Sequence, residues 1–384
     1  MWYLDIRNIL ILAGFVLVLA IFDRAFRGKY VLVRKLLLLC LFLAFLWVYS
    51  ARLALFYIFY IAISFFFCSI LTKAGNRLRK PMFILGILFD LSVFLSIRYM
   101  DIRLAETPAY LTIMTVGLAY NMLKAIDALY LAYYADKKIK LADYAVYMLF
   151  IPTFTSGPIM RYRDFEKDLA LPRLIDSKAM EDSVKRLILG LFKKIVLAEL
   201  LLLLYNRLLA GELDWLKSTC VLLSYYILLY LDFSGYTDIA IGFGRLMGFG
   251  VPENFKKPFT SPTLTQFWRN WHATLGDWFR DHIFVFMVKK GRSRLVSGIS
   301  AFAVMLVIGL WHGFQPLFVL WGVYHGILLL LENILNLSIF NRNKLHTAGY
   351  YLRCLLVNLL VAFGTIFFSS DMQTVCKILR GFTR

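Results

Sequence analysis

The sequence predicts an all-α polytopic membrane protein, with about 11 transmembrane helices joined by short re-entrant and interfacial helices. Three observations carry this. Of 384 residues 60% are hydrophobic, and the mean hydropathy is +0.69, more apolar side chain than one soluble core absorbs. The apolar residues lie in runs, several of them long enough to cross a bilayer, which takes about 20 helical residues. Basic residues gather between the runs, in Arg24 to Lys35, Lys73 to Lys80, Lys185 to Lys194 and Lys289 to Arg294, where the positive-inside rule places cytoplasmic loops. That distribution argues against a nucleic-acid partner despite a net charge of +19. It points instead to anionic membrane lipids or an acidic soluble protein.

The elements follow in order. Asn8 to Phe22 is a first span, and the basic loop Asp23 to Lys35 follows it. Leu36 to Leu71 is long enough for two crossings with a tight turn near Arg52, which puts the amino terminus outside. Met82 to Ile97 crosses outward, Arg98 to Pro108 is an outer loop, and Leu111 to Tyr134 returns to the basic stretch ending at Lys140. Tyr144 to Phe154 is short and runs into Pro152, Gly157 and Pro158, which predicts a re-entrant or kinked segment with Arg161 and Arg163 at the cytoplasmic surface.

The remaining apolar segments are Leu187 to Tyr205, Thr219 to Phe233, Thr237 to Phe249, Leu295 to Trp311, Leu317 to Leu331 and Tyr351 to Phe368. A break is expected at Phe233-Ser-Gly-Tyr236, where Asp232 and Asp238 either line a polar passage or cap helix ends. The carboxyl end, Lys377 to Arg384, is basic and expected in the cytoplasm. We read residues 1–384 as one membrane-embedded domain, with N-terminal helices over 1–110, a motif-bearing core over 111–335, and a C-terminal helix and tail over 336–384. No cleavable signal peptide is expected, because the first apolar stretch has an acidic residue near its start and no small-residue cleavage site. Five scattered cysteines, Cys40, Cys68, Cys220, Cys354 and Cys376, read as buried small hydrophobes. No set of histidines and carboxylates has metal-ligand spacing, so no metal is expected.

Two histidines stand out. His312 closes an almost wholly apolar run from Ala301, where an ionisable group marks a pathway or reaction centre more often than a surface. A neutral imidazole there is suited to act as a general base. His272 lies in the richest polar segment, where Phe267, Trp268, Trp271, Leu275, Trp278 and Phe279 recur at three- and four-residue steps. That spacing predicts an amphipathic interfacial helix whose polar face carries Arg269, His272 and Arg280. The bland alternative is a Trp-rich anchoring helix with a hydrogen-bonded histidine. His325 reads as packed or as a residue of a neighbouring wall, His282 as an interfacial helix-end residue, and His346 as solvated.

Five segments occur in a telling order: SGPIMRYRDF at Ser156 to Phe165, YLDFSGYTDIAIG at Tyr230 to Gly242, PENFKKPF at Pro252 to Phe259, FWRNWHATLGDWFRDHIF at Phe267 to Phe284, and GLWHG at Gly309 to Gly313. Together they resemble the membrane-bound O-acyltransferase family. The resemblance implies membrane helices around a central tunnel, an acyl thioester donor entering from the cytoplasm, and a hydroxyl acceptor outside. It implies His312 as the catalytic histidine and His272 as the second signature histidine, which orients the thioester arm or polarises its carbonyl. Trp311, Asp232, Asp238, Arg269 and His325 are then candidate tunnel residues, and no bound cofactor is required.

Two bacterial branches fit. YMLFIPTFTSGPI at Tyr147 to Ile159 and the run to Asp168 are similar to the teichoic-acid D-alanyl transferase, and the segment after Asp281 lacks the glycine pair of the alginate O-acetyltransferase branch. Met160 stands where the D-alanylation branch usually has an acidic residue, and the tail from Phe367 resembles the acetyltransferase end. The first branch implies D-alanine on the phosphopantetheine arm of a small acidic carrier protein, docking on Ile283, Val285, Val288 and Lys289. The second implies acetyl-CoA or another acetyl thioester, with a secreted polysaccharide or an extracytoplasmic transferase partner. The cell membrane is the expected location. A transporter or flippase is the competing class, and the absence of inverted repeats argues against it.

Overall fold

The computed structural model of the protein describes residues 5–26, 30–73, 75–103, 116–171, 176–288, 293–341, 345–368 and 371–384. Its helices are α1 (Ile6–Phe26), α2 (Val31–Tyr49), α3 (Ala51–Leu71), α4 (Asn76–Arg103), α5 (Leu118–Tyr134), α6 (Leu141–Met148), α7 (Tyr162–Ala170) and α8 (Ser177–Leu191). After a π-helical turn at Phe192–Leu197 come α9 (Ala198–Ala210), α10 (Trp215–Leu246), α11 (Leu264–Asn270), α12 (Ala273–Phe279), α13 (Arg294–His312), α14 (Pro316–Ile334), α15 (Ala348–Gly364) and α16 (Met372–Gly381). Among the described residues no strand forms, and the one isolated bridge joins Phe255 to Trp271. Among the described residues, eight helices are long and apolar enough to cross a bilayer: α1 to α4, α10, α13, α14 and α15, the last extended to Phe368. The chain is a multi-pass membrane protein. The expected number, about 11, also counted Leu111 to Tyr134, of which 111–115 lie outside the described residues and the described helix is 17 residues long.

By contacts the chain divides into two units, residues 1–188 with 237–252 and residues 189–236 with 253–384. In the first, the tight turn of the α2–α3 hairpin falls at Ser50, whose side chain caps α3 by accepting from Leu53 N at 3.3 Å. The core carries polar groups that a bilayer cannot hydrate, and several of them are paired. Tyr60 donates to Asp90 at 3.0 Å, Tyr144 to Ser64 at 2.8 Å, and Lys124 to the Met148 carbonyl at 3.0 Å. Arg34, fully buried, pairs with Asp23 at 2.9 Å and donates to the Met247 carbonyl at 2.7 Å. The predicted irregular segment is present: α6 ends at Met148, a 3-10 turn spans Ile151–Thr153, and Gly157 takes φ 96°. Arg161 is drawn into an ion pair with Asp127 at 2.9 Å, while Arg163 is exposed.

In the second unit, α13 and α14 form a hairpin whose backbones nearly touch. A Cβ on Gly309 would lie 2.5 Å from the Phe318 carbonyl oxygen, and one on Gly322 would lie 2.9 Å from that of Met305. Small residues allow this approach, which is how apolar helices gain packing without a hydrophobic driving force.

Two expectations need correction. The break at Phe233-Ser-Gly-Tyr236 does not exist, since α10 is continuous over 32 residues. Gly235 instead lets the chain at Gly190 come close, where a Cβ would sit 2.9 Å from the Gly190 carbonyl oxygen. Nor are all the cysteines buried: Cys68 and Cys354 are, while Cys40, Cys220 and Cys376 are exposed.

Candidate active site

His312 is the last residue of α13. The apolar sequence from Leu295 favours a long helix, and Ser293 starts it by accepting from Val296 N at 3.4 Å. Gly313 and Pro316 stop it, the proline serving as the first residue of α14, where its missing N–H costs nothing. The imidazole is thereby set at a helix end, half-buried among aromatic rings. Trp311 lies at 4.9 Å between centroids, Phe368 at 5.1 Å, Trp321 at 5.8 Å and Phe318 at 6.2 Å. These rings give the imidazole an apolar surround on the sides that they cover.

His272 is buried, not on the polar face of a continuous helix. The predicted helix is broken at this residue: α11 ends at Asn270, α12 begins at Ala273, and His272 between them takes φ 46°, ψ 47°. A left-handed histidine costs about 1 kcal/mol or more and persists only where the surroundings impose it. They do so through the preceding loop. Lys256 N donates to the Asn270 carbonyl and Ala273 N to the Asn254 carbonyl, both at 2.9 Å. The Asn254 side-chain oxygen accepts from Thr274 N at 3.2 Å and Thr274 Oγ1 at 2.8 Å, and lies 3.1 Å from His272 Nδ1. Phe233 packs its ring on the imidazole at 4.7 Å. Burial first, and then the ring of His312, hold the His272 imidazole well below the usual histidine range.

A third histidine joins this region. His325 is fully buried, with Trp268 at 4.8 Å and Trp321 at 4.9 Å, so Trp321 touches both His312 and His325. Arg269 is exposed. Asp232 pairs with Lys194, and Asp238 pairs with Arg186 at 3.0 Å in the first unit, so both carboxylates hold cations, and both lie inside α10, not at its ends. Val285 is exposed, Ile283 and Val288 are half-buried, and Lys289 lies outside the described residues. His282, read as an interfacial helix-end residue, lies in the π-helical turn Arg280–Phe284, where it is buried, stacks on Trp278 at 4.3 Å and donates from Nδ1 to the Trp278 carbonyl at 2.9 Å. His346 is exposed, as expected. Among the described residues no group of three or more His, Cys, Asp or Glu could hold a metal ion.

Sequence reasoning missed Asn254 and Glu332. Glu332 is buried and accepts from Leu264 N, Thr265 N and Thr265 Oγ1 at 2.6, 2.8 and 2.6 Å, capping α11 from a distance. A signal existed, since Glu332 is the one acidic residue of α14. Asn254 gave none beyond its place in the PENFKKPF segment.

The profile of the MBOAT, membrane-bound O-acyltransferase family, matches residues 80–370. A probable alginate O-acetylase of Pseudomonas syringae pv. tomato is 28% identical over 80% of this chain and 62% of its own length. A teichoic acid D-alanyltransferase of Streptococcus thermophilus is 34% identical over 59% of this chain and 56% of its own. A peptidoglycan O-acetyltransferase of Helicobacter pylori is 28% identical over 62% of this chain and 46% of its own. The chain spans about half to three-fifths of the length of these relatives.

Proposed function

Because the chain belongs to the membrane-bound O-acyltransferase family, we propose that it moves an acyl group from a cytoplasmic thioester to an extracytoplasmic hydroxyl, with His312 as general base. The observation that carries this reading is the setting of His312: an imidazole at the end of an apolar helix, ringed by Trp311, Trp321 and Phe368. The hydroxyl oxygen attacks the thioester carbonyl as its proton passes to the imidazole. The tetrahedral intermediate collapses with cleavage of the carbon–sulfur bond, and the departing sulfur takes the proton back. Ester and thiol are the products, with no net proton change. A base so placed contributes on the order of 10²- to 10⁴-fold.

The donor proposed is D-alanine on the phosphopantetheine arm of a small acidic carrier protein, for alanylation of teichoic acid. The Tyr147 to Asp168 run and the 34% identity to a teichoic acid D-alanyltransferase support it. The exposed apolar side chains of Val285 and Phe286 give the carrier a surface, with Ile283 and Val288 beside them and Lys289 next in the sequence. The amino terminus is outside and the carboxyl terminus in the cytoplasm, and an extracytoplasmic polymer or transferase receives the acyl group. A second reading, acetyl transfer from an acetyl thioester to a polysaccharide, is favoured by the larger share of the chain, 80%, that aligns with an alginate O-acetylase.

Purified protein in lipid vesicles, given labelled D-alanyl carrier protein and labelled acetyl-CoA in parallel, separates the two. Consumption of the D-alanyl carrier alone, lost in His312→Ala, is expected. Consumption of acetyl-CoA alone replaces it with the second reading.

A further inference from the structure

The second unit holds an open cavity of about 600 Å³ between the carboxyl end of α9 and one face of α16. Its lining includes none of the residues of the candidate active site. Gln373, Cys376, Lys377 and Arg380 stand at i, i+3, i+4 and i+7 along α16, so one side of that helix faces the cavity. On the opposite side Val375 and Ile378 are buried in a cluster with Leu213, Val221 and Leu222. Gly381 lies so close to Ser218 that a Cβ would collide with its hydroxyl. Core packing therefore fixes α16 and leaves its polar face toward the cavity.

The lining is positive. Lys377, Arg380 and Arg384 contribute cations against one carboxylate, that of Glu212. Lys377 donates to the Leu209 carbonyl at 2.6 Å and so occupies the negative end of α9. The nearby Asp214 is committed to the start of α10, where it accepts from Lys217 N at 2.8 Å. Arg380 and Arg384 are exposed, and their side chains make no hydrogen bond or ion pair among the described residues. The cavity also sits at the level of a bilayer surface. The spanning helix α10 begins at Trp215, directly after the lining loop 210–213, and the α15 span ends at Phe368, directly before α16. Trp215, Leu216, Leu379 and Phe382, next to lining residues in the sequence, are exposed apolar side chains.

We propose that this cavity seats the phosphate of an anionic membrane phospholipid, with Arg380 and Arg384 as its principal partners and Lys377 beside them. A guanidinium presents paired N–H groups that match two phosphate oxygens at once. Basic side chains at a bilayer surface attract anionic headgroups. The exposed apolar residues give the acyl chains a surface to follow into the bilayer, which a soluble phosphate compound cannot use. The site is separate from acyl transfer and does not rest on it.

Cys376 lines the cavity and is exposed, so its alkylation rate reports occupancy, while Cys220, exposed on α10 outside the lining, is the reference. The protein in neutral detergent is titrated with a short-chain phosphatidylglycerol, the matching phosphatidylcholine, and glycerol 3-phosphate. Maleimide labelling is read at each cysteine by mass spectrometry, and bound lipid by native mass spectrometry. The expected result is one tightly bound phosphatidylglycerol, with Cys376 slowed and Cys220 unchanged. Arg380→Ala weakens that binding about fivefold, the effect of one cation at an anionic lipid surface. Adding Arg384→Ala brings the loss to about 25-fold if the two act independently. Both side chains are exposed, so these variants fold, and unfolding midpoints check it. Lys178→Ala, which removes an exposed cation on α8, binds as the wild type does. Equal binding of phosphatidylcholine, an unchanged Cys376 rate, or a double variant that binds as the wild type does overturns the proposal. Equal protection by glycerol 3-phosphate also overturns it, in favour of a seat for soluble phosphates. So does protection by an acidic carrier protein where the lipid gives none. No turnover is measured, so the outcome stands apart from that of His312→Ala.

Discussion

The carboxylate of Glu332, near the end of α14, lies 2.6 Å from the backbone N–H of Leu264, the first residue of α11. A helix leaves its first N–H groups without intrahelical partners, and Glu332 satisfies two of them while Thr263 satisfies a third, that of Gln266, at 3.1 Å. The negative charge also suits the positive end of the helix. The segment leading to His272 is thereby tied to the helix that carries Trp321 and His325. Glu332→Ala should lower stability by about 2 kcal/mol, since it strands buried donors, and should lower transfer as well. Glu332→Gln, which keeps an acceptor oxygen, should recover part of both. Unfolding midpoints in detergent and initial rates check this.

The α13–α14 hairpin makes a steric prediction. A Cβ on Gly322 would lie 2.9 Å from the Met305 carbonyl oxygen and 3.0 Å from Leu306 Cα, and backbone atoms cannot yield as a flexible side chain can. Gly322→Ala should cost about 1–3 kcal/mol, the usual range for overpacking. Gly349→Ala meets nothing within 4 Å and serves as the control. Thermal unfolding at one scan rate compares the two.

Acid provides a third test, through His272. Its folded imidazole titrates well below the usual histidine range, because of burial and then of His312. As pH falls below about 6.5 the unfolded chain binds the proton and the folded chain does not, so acid favours unfolding, by at most about 1.4 kcal/mol per pH unit for one group. His272→Gln removes that proton. Between pH 7 and 5 its unfolding midpoint should therefore fall less than that of the wild type. Equal falls would show that His272 titrates normally in the folded protein.

How much of this was legible in the sequence varies with how local the cause is. The α2–α3 turn was readable because Leu36 to Leu71 is too long for one crossing, and the actual turn at Ser50 is two residues from the expected one. His312 was readable because an imidazole closing an apolar run is conspicuous. The break expected in α10 was wrong because Ser-Gly lowers helix propensity by only about 1 kcal/mol, and the close approach of Gly190 to Gly235 uses the missing side chain. Conversely, the periodicity from Thr263 to Phe279 promised one helix and concealed the kink at His272. That kink is imposed by Asn254, 18 residues earlier, and hydrogen bonds between distant segments leave no mark on a local pattern. The ion pairs of Asp232 with Lys194 and Asp238 with Arg186 were hidden in the same way.

The central claim is that His312 accepts the proton of the attacking hydroxyl. Vesicle-reconstituted wild type and His312→Ala, compared at saturating donor after both are shown to fold, test it most directly. The account predicts that kcat falls at least about 10²-fold, the lower end of what a general base contributes, while donor binding changes little. A variant that turns over at near the wild-type rate would contradict it, and would place the chemistry somewhere other than the helix end where His312 sits.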